Sequence, residues 1–131
     1  NLGLVIGVLE LQKIISDKFE NNQDGRLLAS FGELFSQNIK VYVYPALDPM
    51  SGNLTTALNM FVPDKIKFLY HYLLDSKQII PIHDFTEQNL YIYPNDVLKN
   101  IQSGDNTWEQ KVPDALVKLI KDRQLFGYHE A

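Results

Sequence analysis

The sequence predicts a layered α/β fold, in which about five helices pack on a short, mostly central sheet. Segments with an unbroken apolar or two-residue pattern alternate with segments whose apolar residues recur every three to four positions. Strands that interleave with helices in this way favour an α/β arrangement over a helix bundle or a sandwich. The chain has 131 residues, the usual size of one domain. We therefore predict a single domain over residues 1–131 with one core.

The first strand is predicted over residues 2–8, an apolar run without helical periodicity. Such a run is typical of a strand that is covered on both faces. Gly3 and Gly7 lie inside it, whereas a dinucleotide-binding turn needs three glycines as G-x-G-x-x-G between strand and helix. We therefore interpret the two glycines as places where a neighbouring helix or backbone packs closely.

Two amphipathic helices should follow this strand. Apolar residues recur at helical spacing from Leu11 to Phe19 and again from Leu27 to Phe35. The polar run at residues 21–25 predicts the turn between the two helices.

The clearest strand is predicted over residues 39–44, where aliphatic side chains alternate with Lys40, Tyr42 and Tyr44. Pro45 ends this strand because proline has no N–H to donate to a neighbouring strand. The composition of residues 48–52 predicts a turn, and residues 54–62 are interpreted as extended.

Three further helices are predicted where a proline, tolerated in a first helical turn, precedes an amphipathic segment. Two short strands are predicted between them, and Pro81 makes the first of these an edge strand. The helices begin near Pro63, Pro94 and Pro113, and the strands cover residues 79–82 and 90–93.

Composition excludes several classes of function. Twelve basic against sixteen acidic residues give a net charge of -4, so the basic surface that nucleic acid requires is missing. The absence of cysteine excludes a disulfide scaffold and thiol chemistry, and it is compatible with the cytoplasm. The longest apolar run is well short of the roughly 20 residues of a membrane helix, so a membrane is not an expected partner.

We predict no catalytic residue and no metal site. The three histidines, His71, His83 and His129, do not have the spacing of metal ligands. His83 precedes Asp84, but the pair is interpreted as part of a solvated loop because adjacent side chains in a strand point to opposite faces. No G-x-S-x-G sequence supplies a nucleophile.

Tyrosine marks the candidate surface, since six of the seven tyrosines form pairs two residues apart. In a strand such a pair lies on one face, where rings with a polar tip suit a partly wet interface. This face could be covered by the domain's own helices, stack on a base, or meet another domain or a second copy. The candidate binding or docking residues are Tyr42, Tyr44, Asp48, Tyr91 and Tyr93.

Five blocks of sequence together resemble, in order, the C-terminal region of a bacterial family known from bacteroidete and cyanobacterial genomes. Members of that family are labelled nicotinic-acid-mononucleotide adenylyltransferase, an enzyme of NAD biosynthesis. The resemblance covers nearly the whole chain and combines rare residues in a fixed order. The blocks are GLVIGV (3–8), LLASFGELFSQNIKVYVYPALDP (27–49), FLYHYLL (68–74), DVLKNIQSGDNTWEQKVPD (96–114) and LFGY (125–128).

The resemblance implies that the chain is the C-terminal part of a longer protein, as does its apolar start at Asn1 without a methionine. Adenylyltransferases of this pathway resemble one another in a His-x-Gly-His element and a Ser/Thr-Arg element, which are absent from this sequence. No catalytic residue is therefore implied in this chain, and ATP and magnesium are implied only as partners of the family's activity.

Two hypotheses for function follow. In the first, the chain is a non-catalytic domain whose tyrosine surface docks on the remaining domains of the longer protein or on a second copy. In the second, it completes a nucleotide site for adenylyl transfer. An adenosine-sized polar pocket near Tyr42, Tyr44 and Asp48 would favour the second hypothesis, and a flat exposed aromatic patch would favour the first.

Overall fold

A computed structural model of the chain describes the backbone of residues 1–20 and 26–130, and the side chains of residues 1–17 and 28–130. The turn predicted at residues 21–25 lies outside the described residues. The predicted α/β class is confirmed, with five α-helices and a three-stranded parallel sheet in the described part of the chain. Two compact units are present, residues 1–85 and 86–131, and each is described by itself. The single domain over residues 1–131 stays a prediction.

The first unit contains all five strands and three of the α-helices. A 3-10 turn, Asp64–Ile66, leads into its third α-helix, as the proline at position 63 predicts. In order, the elements are β1 (Leu2–Gly7), α1 (Val8–Glu20), α2 (Arg26–Ser36), β2 (Ile39–Tyr44), β3 (Ala46–Leu47), β4 (Leu54–Thr55), α3 (Lys67–Asp75) and β5 (Ile79–Pro81).

The main sheet has the order β1-β2-β5, and all of its strands are parallel. The chain steps to the next strand in the same direction each time, and right-handed crossovers then place the connecting helices on one face. The buried cluster agrees, because it joins Val41, Val43 and Ile79 of the sheet to side chains of all three helices. We call this side of the sheet the helix face.

The other side of the sheet, here called the open face, carries the alternate residues of the three strands. Val5 of β1 pairs with Tyr42 of β2, which pairs with Ile80 of β5, so these three side chains form a row across it. Lys40 is exposed and Val5 is 72% exposed. The residues of the open face are Gly3, Val5, Gly7, Lys40, Tyr42, Tyr44 and Ile80.

The prediction that the first strand is covered on both faces is wrong. Leu2 is 54% exposed and Leu4 is 42% exposed, in addition to Val5 on the open face. The reason is position, since β1 is an edge strand with a neighbour on one side only. The strand is also shorter than predicted, because α1 begins at Val8, which is fully buried.

The two glycines of β1 differ from each other. A Cβ atom added to Gly3 would lie 3.2 Å from Cε2 of Tyr42, so a close approach does occur there, although the neighbour is a ring rather than a helix or backbone. No atom lies within 4 Å of a Cβ added to Gly7. The close-packing interpretation is therefore wrong for Gly7, which instead forms the junction between β1 and α1.

Residues after β2 form a small hairpin, in which Ala46 pairs with Thr55 and Leu47 with Leu54. The predicted turn at residues 48–52 is confirmed, and Gly52 adopts the positive φ of 70° that favours glycine. The extended interpretation of residues 54–62 holds only for β4. Residues 56–60 instead form a turn, in which the backbone N–H of Met60 donates to the carbonyl of Thr56.

The second unit contains helices and, among its described residues, no strand. Both helices predicted to begin near prolines are confirmed as α4 (Pro94–Ser103) and α5 (Asp114–Arg123). Its core is a cluster of Ile101, Trp108 and Ile120, separate from that of the first unit. The expectation of one core for the whole chain is therefore wrong. Three 3-10 helices complete the unit at Glu87–Tyr91, Asn106–Lys111 and Leu125–Gly127.

The strand predicted over residues 90–93 is wrong. The segment begins in the 3-10 helix Glu87–Tyr91, and the N–H of Ile92 donates to the carbonyl of Asn89. A strand needs a neighbouring strand to receive its backbone hydrogen bonds, and here those bonds are made locally instead.

Candidate functional site

The predicted docking residues are divided between the two units. Tyr42 and Tyr44 lie side by side on the open face of the sheet, and Asp48 lies in the loop of the hairpin. Tyr91 and Tyr93 belong to the second unit. The strand argument, which places a tyrosine pair on one face, therefore holds for the first pair and fails for the second.

Tyr42 lies at the centre of the open face. It projects from the middle strand β2, and its ring reaches across β1 to Gly3, where it occupies the space that a side chain would otherwise fill. The side chain is half-buried, and the described helices of the first unit lie on the opposite face of the sheet. The ring thus lies in one row with the aliphatic side chains of Val5 and Ile80.

Tyr44 lies at the carboxyl end of β2, where ligands bind in many open α/β sheets. Its ring contacts Phe85 edge to face, with 6.4 Å between the ring centroids and an angle of 65° between the planes. The segment after β5 therefore covers part of the open face at this end. An aromatic pair of this geometry stabilises the segment by about 0.5–1.5 kcal/mol beyond burial alone.

Asp48 holds the hairpin loop together. Its carboxylate accepts hydrogen bonds from the backbone N–H groups of Met50, at 2.7 Å, and Ser51, at 3.2 Å. These donors hold the pKa of Asp48 below its usual value, because they favour the ionised form. The carboxylate thus already accepts hydrogen bonds within its own loop, in which Met50 is almost fully exposed.

Tyr91 and Tyr93 have separate surroundings in the second unit. Tyr91 ends a 3-10 helix with its side chain 70% exposed. Tyr93 precedes α4, and its carbonyl accepts from the N–H groups of Asp96 and Val97. Its backbone thereby begins the helix.

A polar recess of about 380 Å³ lies beside Tyr42, at the amino ends of the strands. The side-chain amide of Asn38 donates to the side-chain oxygen of Asn1 across it, at 2.6 Å. Neither Tyr44 nor Asp48 lines this recess, so it does not unite the three residues that the nucleotide hypothesis requires. Its lining is Asn1, Leu2, Gly3, Asn38, Lys40 and Tyr42.

An apolar cavity of about 230 Å³ lies on the helix face between the sheet and the helices α1 and α2. Leu4, Ile14 and Leu34 line it and are each more than two-fifths exposed, so it opens to solvent. Ser30 is the one polar residue of its lining. The cavity offers hydrophobic contact and little chemistry.

In the described part of the chain, no group of three or more His, Asp or Glu side chains could hold a metal ion. None of the described helices is both long and apolar enough to span a membrane. His71 and His83 are exposed, in a helix and a loop respectively.

Comparison with known proteins found no matching family model, no similar curated protein and no similar solved structure. Membership of the adenylyltransferase-like family therefore stays a prediction from the resemblance of the five sequence blocks.

Sequence reasoning missed Val5 as a surface residue, because an unbroken apolar run predicts a covered strand. A usable signal existed in the neighbouring strand, where Lys40, Tyr42 and Tyr44 alternate with aliphatic residues. Since paired residues of adjacent strands share a face, the polar face of β2 indicates which side of β1 is open.

Proposed function

We propose that this chain is a non-catalytic docking or regulatory domain. It would form the C-terminal part of a cytoplasmic bacterial protein that is similar to nicotinic-acid-mononucleotide adenylyltransferases of NAD biosynthesis. The sequence resemblance supports the family, and the open face of the sheet supports the docking role. Any ATP and magnesium would then bind to other parts of the longer protein.

One observation carries the docking role, namely that the described helices of the first unit pack on one face of a wholly parallel sheet. Parallel sheets occur almost exclusively with both faces covered, because their crossover connections place helices over the sheet. Val5, which is 72% exposed, and the half-buried Tyr42 would lose contact with water if another surface packed there. Burial of apolar surface contributes about 25 cal/mol per Å².

The chemistry of the open face suits a protein surface as its occupant. Tyrosine rings give apolar area together with a hydroxyl that can remain hydrated at the rim of an interface. Along β2, Lys40 lies on one side of the row of Val5, Tyr42 and Ile80, and Tyr44 with Phe85 lies on the other. The remaining domains of the longer protein are the proposed occupant.

A nucleotide site for adenylyl transfer is the second candidate, and the position of Gly7 favours it. Gly7 joins β1 directly to α1 and leaves space for a ligand at the carboxyl edge of the sheet, next to Tyr44. Against it, the Asp48 carboxylate is bound within its own loop and the Tyr44 ring packs on Phe85. This candidate therefore ranks below docking.

The two candidates are separated by titrating ATP with magnesium into the chain, and by assaying the chain and the full-length protein for adenylylation of nicotinic acid mononucleotide. Docking predicts activity in the full-length protein alone and no heat of ATP binding to this chain. Binding of ATP to this chain that is weakened by Gly7→Val would overturn the docking proposal in favour of the nucleotide site.

Docking itself is tested by measuring the affinity of this chain for the rest of the full-length protein. Tyr42→Ser removes a ring at the centre of the open face, and we expect at least about a tenfold loss of affinity, equivalent to about 1.4 kcal/mol. Met50→Ser is the matched control, since Met50 is exposed in the hairpin loop. Equal affinity of wild type and Tyr42→Ser would refute docking through this face.

A further inference from the structure

The two edges of the main sheet differ in how they are protected. The outer edge of β5 is only three residues long and ends in Pro81, which has no N–H to offer. The outer edge of β1 is six residues long and contains neither proline nor a charged side chain. Proteins usually protect an edge with proline, lysine or short length, because unpaired backbone groups recruit other strands.

The unprotected edge of β1 specifies the chemistry of its partner. Its outward N–H and C=O groups are satisfied best by the backbone of another strand. Its exposed side chains are aliphatic, with Leu2 at 54%, Leu4 at 42% and Val5 at 72%. The partner is therefore an extended, apolar and uncharged segment.

We propose that this partner is β1 of a second copy of the chain, paired antiparallel to form one continuous six-stranded sheet. Among the described strands, β1 is the one that is long, uncharged and unpaired along one edge. The strand β1 is therefore itself an extended, apolar and uncharged segment, as the edge of β1 requires of its partner. A two-fold axis perpendicular to the sheet gives such an isologous contact and keeps the helix faces of both copies on the same side.

The side chains of β1 are complementary to themselves in one register. A two-fold axis at Leu4 places Leu4 opposite Leu4 and Leu2 opposite Ile6 on the helix face. On the open face it places Gly3 opposite Val5, a small residue against a branched one. Directly opposite side chains in antiparallel strands stabilise each other when they are apolar and repel each other when they carry like charge. This register contains apolar pairs without charge.

This inference uses the edge of the sheet, whereas the proposed docking role uses its open face. Tyr42 projects from the middle strand β2 and its ring lies over Gly3 of β1, so its substitution changes the open face, whereas the outward backbone groups of β1 that pair in the dimer are unchanged. A failure of Tyr42→Ser to weaken domain binding would therefore refute docking without bearing on the dimer.

The register is tested by a single cysteine, which is possible because the sequence contains none. In the proposed dimer the Cα atoms of the two Leu4 residues lie about 4.5–5.5 Å apart, within the range that a disulfide spans. We expect Leu4→Cys to form a disulfide-linked dimer under mild oxidation at least about tenfold faster than Met50→Cys, because pairing raises the effective concentration of the thiols. Equal rates in the two variants would overturn the proposal.

Charge reversal tests direct pairing without relying on oxidation. Leu4→Lys and Leu4→Glu each place like charges opposite one another, and we expect each variant alone to sediment as a monomer. An equimolar mixture of the two should restore the dimer, while circular dichroism checks that each variant is folded. A wild-type chain that sediments as a monomer at about millimolar concentration, or a mixture that stays monomeric, would refute the β1 contact.

Discussion

The two units of the chain build their cores in opposite ways. The first packs residues that are far apart in sequence, such as Val41 with Ile79, and it leaves side chains on one face and along one edge of its sheet exposed. The second builds its core from Ile101, Trp108 and Ile120, which lie within a short stretch of helices. Helices satisfy their own backbone hydrogen bonds, whereas a sheet must find neighbours for its edges and its faces. The surfaces that we propose for docking and for pairing consequently lie in the first unit.

The largest effect is expected from truncating the centre of the second unit. Trp108 is fully buried and contacts the ring of Tyr128 edge to face, with 6.0 Å between centroids. Trp108→Ala should lower the free energy of unfolding of the second unit by about 3–5 kcal/mol, because it leaves a large cavity in a small core. Hydrogen exchange should then show lost protection in residues 86–130.

Trp108→Phe is the matched control, because it keeps a ring and removes an indole N–H that has no hydrogen-bond partner among the described residues. Trp108→Phe should therefore lower the free energy of unfolding by less than Trp108→Ala does. A loss of protection in the first unit as large as that in the second would contradict separate cores.

The second prediction compares two neighbouring residues of β5 that face opposite ways. Ile79 is 1% exposed on the helix face, and Ile80 is half-buried on the open face. Ile79→Ala should lower the free energy of unfolding of the first unit by about 2–5 kcal/mol, and Ile80→Ala by clearly less.

Urea unfolding followed by circular dichroism measures this difference, and the fluorescence of Trp108, the single tryptophan, reports the second unit separately. An equal cost at both positions would mean that the open face is as well covered as the helix face.

Tyr70 should give the first unit a dependence on alkaline pH. Its hydroxyl donates to the carbonyl of Ala57, at 2.5 Å, and burial raises the pKa of Tyr70 to about 12. Because the folded state favours the neutral phenol, this contribution to stability is present below pH 10 and is lost as the pH rises from about 10 to 12.

Tyr70→Phe should lower the free energy of unfolding of the first unit by about 1–2 kcal/mol at neutral pH, since it removes the hydroxyl that donates to the buried carbonyl of Ala57. It should also abolish the loss of stability in that alkaline range, as measured by urea midpoints at several pH values. A midpoint that falls equally in the variant and the wild type would assign the effect to other groups.

Gly104 ends α4 in the left-handed conformation, with a φ of 74°. An added Cβ would meet no atom within 4 Å, so the cost of Gly104→Ala arises from the backbone alone. We expect the free energy of unfolding of the second unit to fall by about 1 kcal/mol. The urea midpoint of unfolding, followed by Trp108 fluorescence, should fall accordingly.

Gly7→Ala is the control, because Gly7 has equal space and no positive φ. It should leave the stability unchanged or slightly raised. Equal losses from both substitutions would show that the backbone angle is not the cause.

The smallest effect is local and concerns Asp48. The hydrogen bonds from Met50 and Ser51 lower its pKa, so they stabilise the loop at pH values above the ordinary pKa of 3.8 and are lost as the pH falls through the lowered one. Asp48→Ala should speed amide exchange at Met50 and Ser51, and Asp48→Asn should retain much of the protection. Unchanged exchange in both variants would contradict the loop contacts.

Local patterns predicted the helices and one strand well, because each records a property of the segment itself. Prolines 63, 94 and 113 mark helix starts, since a missing N–H costs nothing in a first turn. The alternation of residues 39–44 predicted β2 with its bounds. Pro81 predicted an edge strand, and β5 is one.

The candidate site was predicted only in part. Tyr42 and Tyr44 share a face because two-residue alternation in a paired strand fixes it. The same spacing at Tyr91 and Tyr93 was misleading, since Tyr91 ends the 3-10 helix Glu87–Tyr91 and Tyr93 directly precedes α4. Asp48 was predicted beside the tyrosines, and the hairpin uses its carboxylate within its own loop.

The sequence by itself determined the α/β class, the helix starts and the tyrosine face of β2, because periodicity and proline act within a single segment. Only the tertiary structure decided that the described helices of the first unit pack on one face of the sheet, that β1 lies at an unprotected edge and that the chain forms two compact units. The physical reason is that an apolar strand has the same sequence pattern whether its faces and edges are covered by other segments or exposed to solvent. Which of them stay open depends on where distant segments pack.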